Sequence, residues 1–88
     1  MEMVDLFRLM LKKSASDLFI TVGAAPSLKV DGQILPIKTD VLDSQSARDL
    51  AYSIMNDDQR KKYEVEKESN FAVNPEGMGR FRVNVFQQ

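Results

Sequence analysis

Apolar positions recur along this chain with two different periods, and the switches between them mark its elements. Met3, Val4, Phe7, Met10 and Leu11 follow an i, i+3, i+4 spacing, with Leu6 and Leu9 widening the stripe. That spacing predicts an amphipathic helix over residues 3–13. Lys12 and Lys13 fall in its last turn, where a cation suits the helix dipole. The stripe is broad enough for a core-facing helix or for one that also docks on a partner through exposed Met and Phe. Ser14-Ala15-Ser16-Asp17 breaks the helix. Leu18-Phe19-Ile20-Thr21-Val22 then reads as a β-branched and aromatic strand. After a Gly23-to-Pro26 loop, Leu28-Lys29-Val30 and Ile34-Leu35-Pro36-Ile37 flank Asp31-Gly32. An Asp-Gly pair between apolar runs predicts a hairpin, because a type I′ turn needs positive φ at both central residues. Pro36 has no N–H to give a ladder, so it belongs at a sheet edge or a strand end.

Helical spacing returns from about Ser44 to Met55, through Ala47, Leu50, Ala51, Ile54 and Met55. Asp43 or Ser44 can cap that helix by accepting a backbone N–H. Asn56 ends it and starts a third helix, about Asp57 to Lys67, with Gln59 as its capping-box partner. The third helix is polar and anchored by Tyr63. Its Arg60-Lys61-Lys62 run reads as a solvated face, and so do the carboxylate pairs Asp57 with Asp58 and Glu64 with Glu68.

Two alternating strands follow, Asn70–Asn74 and Arg80–Phe86, joined by Pro75-Glu76-Gly77-Met78-Gly79. The order α-β-β-β-α-α-β-β predicts an α+β fold, a largely antiparallel sheet with helices packed on one face. In the last strand Phe81, Val83 and Val85 point one way. Arg80, Arg82 and Asn84 point the other. Guanidinium groups fixed on a strand suit a carboxylate or phosphate partner. The sequence stops two residues later, so the expectation is that this face serves something outside these 88 residues.

Length and composition narrow the chemistry. A chain of 88 residues is one small domain. A net charge of -1, from 12 basic and 13 acidic residues, provides no field to gather nucleic acid. Cysteine and histidine are both absent. A disulfide framework, a Cys- or His-ligated haem and a Ser-His-Asp site are therefore excluded within this chain. None of the four glycines opens a lysine-bearing phosphate loop. The isolated chain is expected not to be an enzyme and to bind no metal. No segment has the roughly 18 apolar residues of a membrane span, so a cytoplasmic protein is expected.

Four segments in register carry a resemblance. They are Ser16-Asp17-Leu18-Phe19-Ile20, Pro26-Ser27-Leu28-Lys29-Val30-Asp31-Gly32, Met55-Asn56-Asp57-Asp58-Gln59-Arg60 and Gly79-Arg80-Phe81-Arg82-Val83-Asn84. In this order and spacing the chain resembles the start of the PilT/PilU family, the type IV pilus retraction ATPases of the secretion-ATPase superfamily. Leu6-Phe7-Arg8-Leu9-Met10 and Ser69-Asn70-Phe71-Ala72-Val73 look closer to the PilU side.

The resemblance implies that residues 1–88 form a PAS-like N-terminal domain, with a RecA-like ATPase domain absent from this chain. It implies a hexameric parent using ATP and Mg2+, in which this domain packs on a neighbouring subunit's ATPase domain and drives pilus retraction and twitching motility. A PilT-type motor and the pilus inner-membrane platform are the further partners implied, with a location peripheral to that membrane. At residue level it places Arg82 near nucleotide at the domain boundary, with Arg80 a second candidate and Asn84 able to orient either guanidinium. The alternatives are a stand-alone PAS-like ligand sensor and a protein-interaction module.

Overall fold

Leu18, Ile20, Leu28, Val83 and Val85 are each 2% exposed or less, and alternation places them on one face of a sheet. The computed structural model describes residues 1–87. In chain order it holds α1 (Met3–Lys13), β1 (Asp17–Thr21), β2 (Ser27–Val30), β3 (Gln33–Pro36), α2 (Ser44–Tyr52), α3 (Asp57–Glu66), β4 (Glu68–Val73) and β5 (Phe81–Phe86). The strands lie in the order β3-β2-β1-β5-β4. All neighbours pair antiparallel except β1 and β5, which run parallel. The helices cover one face, the α+β, PAS-like arrangement that the order of elements and the resemblance led us to expect.

Helix α1 lays Met3, Leu6, Phe7 and Met10 into the core. Phe7 stacks on Phe81 with ring centroids 5.7 Å apart. The buried stripe is therefore centred between Leu6 and Phe7. Val4 and Leu11 fall on its flanks and stay 38% and 53% exposed. The expected docking surface of Met and Phe is thus internal at Met3, Phe7 and Met10. The helix stops at Ser14, which takes the left-handed conformation (φ 56, ψ 42), while the Ala15 N–H closes on the Met10 carbonyl at 2.8 Å.

The β2–β3 hairpin turns at Asp31 (φ 50) and Gly32 (φ 79), the two positive angles of a type I′ turn. Strand β3 is an edge strand ending at Pro36. Helix α2 is capped by the Asp43 carboxylate, which accepts from the Ser46 N–H at 2.7 Å. It ends at Tyr52 rather than at Met55. The Ser53 hydroxyl donates to the Leu50 carbonyl, and tighter turns carry the chain through Ile54 and Met55. Asn56 must be extended to cap α3, so the helix cannot run into it. The α3 capping box forms reciprocally, Gln59 N–H to Asn56 Oδ1 at 2.8 Å and Asn56 N–H to Gln59 Oε1 at 2.9 Å. Strands β4 and β5 are shifted slightly from expectation, β4 starting at Glu68 and β5 at Phe81.

Ser14 carries a Cβ in a conformation that only glycine adopts without strain. Ser14→Gly is expected to raise the unfolding free energy by about 0.5–1 kcal/mol, read as a shifted urea midpoint at unchanged slope.

Candidate functional site

The helix-free face of the sheet is built from alternate residues of each strand. Across it the register aligns Ile34, Lys29, Asp17, Arg82 and Ala72 in one row. The next row aligns Pro36, Ser27, Phe19, Asn84 and Asn70. Arg82 thus stands beside Asp17 on a strand paired on both sides, and its backbone N–H reaches the Ser16 carbonyl at 3.1 Å. The Arg82 side chain is exposed. Arg80 is also exposed and lies just before β5, in the glycine-bearing approach to the strand.

Asn84 is only 8% exposed. Its Nδ2 donates to Asp17 Oδ2 and to the Leu18 carbonyl, each at 3.3 Å. Asp17 Oδ1 accepts from the Ser16 hydroxyl at 2.8 Å. The amide of Asn84 therefore engages β1 rather than either guanidinium. Ion pairs among the described residues are Arg48–Glu64, Arg60–Asp57 and Lys62–Glu66. Neither Arg80 nor Arg82 takes part in one. Asp17, whose carboxylate accepts from Ser16 and Asn84, stands opposite Arg82 in the register and makes no ion pair with it among the described residues. A guanidinium group without an ion-pair partner among the described residues remains available to an anionic oxygen ligand. No cluster of three or more His, Cys, Asp or Glu able to hold a metal occurs among the described residues.

A second polar cluster, absent from the sequence reading, joins α2 to α3. Glu64 accepts from both the Tyr52 hydroxyl and the Arg48 guanidinium. Arg48 and Arg60 flank the Tyr52 ring at 5.2 and 5.3 Å from its centroid. Arg60 also donates to the Tyr52 carbonyl at 2.7 Å. Arg60 is thus a packed residue and not part of a purely solvated run, and Glu64 pairs with Arg48 rather than with Glu68. The hydrogen bond from Tyr52, then that from Arg48, holds the Glu64 carboxyl below its ordinary value of 4.5. The spacing of Arg48 and Tyr52, one helical turn apart, was the available signal. The partner on α3 had none.

No protein-family model matches the chain. Over all 88 residues it is 43% identical to the type IV pilus ATPase PilU of Pseudomonas aeruginosa. It is 39% identical over the same span to the type IV pilus retraction ATPase PilT of that organism. The matched segment is a fragment of the N-terminal region of both, and the chain spans only 23% and 26% of their lengths. The higher identity agrees with the resemblance to the PilU side. A crystal structure of the pilus retraction motor PilT with bound ADP superposes on the whole chain with a TM-score of 0.80 and 34% identity, using 26% of that chain.

Three substitutions test this geometry. Asn84→Ala removes a buried donor from the Leu18 carbonyl and is expected to cost about 1–3 kcal/mol. Arg82→Ala is expected to change stability by less than about 0.5 kcal/mol, and parallel urea titrations compare the two. For Glu64, a lowered folded-state value means that its stabilising contribution is present above pH 4.5 and is lost as pH falls through that lowered value. The melting temperature of Glu64→Gln should therefore fall less steeply than that of the parent on acidification below pH 4.5. Asp43, lowered by its bond from Ser46, contributes the same downward trend to both proteins.

Proposed function

We infer that this chain, similar to PilU and PilT from its first residue to its last, is the N-terminal assembly and regulatory domain of a type IV pilus retraction ATPase of the PilT/PilU family. The collinear match over all 88 residues carries this reading, and the likeness of its backbone to PilT supports it. Residues 1–88 are then one domain of a longer parent. A RecA-like ATPase domain in the rest of that parent supplies the site for ATP and Mg2+. The parent is a homo-hexamer in which this domain packs on a neighbouring subunit's ATPase domain. Nucleotide-driven movement between the two powers pilus retraction, in the cytoplasm beside the inner-membrane platform and together with a PilT-type motor.

Within that frame the role of the chain's own residues follows from the free guanidinium groups. Pairing with β1 and β4 fixes the backbone of Arg82. A cation on a rigid strand can stabilise negative charge developing on phosphoryl oxygens at little cost in reorganisation. Asn84 and Ser16 act as positioning residues, because they hold the Asp17 carboxylate beside Arg82. Arg80, exposed and outside the ladder, is the second contact.

The experiment is ATP turnover by the complete parent protein carrying Arg82→Ala. The expected result is a loss of about tenfold or more with hexamer size and melting temperature unchanged. Full turnover in an intact ring removes Arg82 from the mechanism. Loss of the ring would move its role to assembly.

A further inference from the structure

A groove of about 780 Å³ runs between the start of α1, the 39–42 segment and α2. Phe7, Leu50 and Ile54 contribute apolar lining to it. Met1, Val4 and Val41 also line it, and they stand 60%, 38% and 65% exposed. Single exposed apolar side chains are ordinary on a protein surface. Three converge here on one concave strip and form a small apolar patch.

Charge decides what fits there. The charged side chains lining the groove are Glu2, Asp40 and Asp49, all acidic, and the amino group of Met1 is the one basic group beside them. The smaller groove, bounded by Leu9 and Lys13 of α1 and by the β2–β3 hairpin, has the opposite sign. Its charged residues are Lys13 and Lys38. The chain as a whole is nearly balanced, so these two grooves differ in sign although the composition does not favour either. An anionic membrane or a nucleic acid is repelled by the acidic groove. A cationic ligand with an apolar face is attracted to it.

Backbone chemistry narrows the class further. Helix and loop residues line the groove, and neither edge strand, β3 or β4, contributes to it. It offers no row of free strand N–H and C=O groups, so an extended peptide could not pair there. A helix satisfies its own backbone and needs only apolar anchors at i, i+3, i+4 and i+7. We propose that this groove docks a cationic amphipathic helix of another protein, its apolar stripe on Val4, Val41 and Ile54 and its lysines or arginines facing Glu2, Asp40 and Asp49.

The proposal is independent of the pilus reading and is tested on the 88-residue chain. The probe is an amidated helical peptide of about 15 residues with leucines at those spacings and lysines elsewhere. A matched peptide carrying glutamate for lysine is the control. Amide NMR shifts and calorimetry are recorded for each. The lysine peptide is expected to bind, moving signals at Val4, Val41 and Ile54, and to weaken as salt rises. The double variant Asp40→Lys, Asp49→Lys should weaken it by about tenfold. Val41→Ser, at an exposed position, should weaken it without changing charge and serves if the double variant loses its fold. Equal binding of both peptides, shifts away from the groove, or full binding by these variants overturns the proposal. Self-association of the chain that protects the same signals would give the groove to a second copy and overturn it too.

Discussion

The parallel pairing of β1 with β5 is the constraint on which the rest of the domain depends. It joins two antiparallel pieces, the β1-β2-β3 meander and the β4–β5 hairpin, into one sheet. It aligns Leu18 with Val83 and Ile20 with Val85, four side chains with no measurable exposure. On the opposite face the same register sets Asp17 beside Arg82 and Phe19 beside Asn84. Core and candidate site are therefore two faces of one alignment. A slip of one residue would exchange them.

Most local structure was legible in the sequence because its causes are local. The Asp31-Gly32 turn, the Asn56–Gln59 capping box and the Asp43 cap each involve residues within four positions of one another, and each formed as expected. The ends of α1 were readable for the same reason. The end of α2 was not, because helical spacing continues through Met55 while the cap required at Asn56 cuts the helix short. Periodicity also identified the α1 stripe correctly as helical but blurred its centre. Only packing on Phe81 shows that Phe7 faces inward and Leu11 outward.

The site was half legible. Alternation put Arg82 on the face away from the core, and the structure leaves it exposed there. Nothing nearby in the sequence could show that Asn84 would be buried, since its partners lie on β1 at the other end of the chain. The same holds for Glu64, whose partners Arg48 and Tyr52 sit on a different helix. Charge patterns within one helix reveal its own neighbours. They do not reveal what a second helix brings to meet them.

The pairing of β1 with β5 also has a temporal consequence. A ribosome delivers β1 early and β5 last, so during synthesis β1 keeps one unpaired edge until residues 81–86 have emerged. The meander and the helices can gather beforehand, but the sheet closes only at that moment, through contacts of high sequence separation, which are slow to form. Arg82 arrives on the strand that performs the closure. No nascent chain that stops before β5 displays the arginine face, so that surface and the closed sheet come into being together.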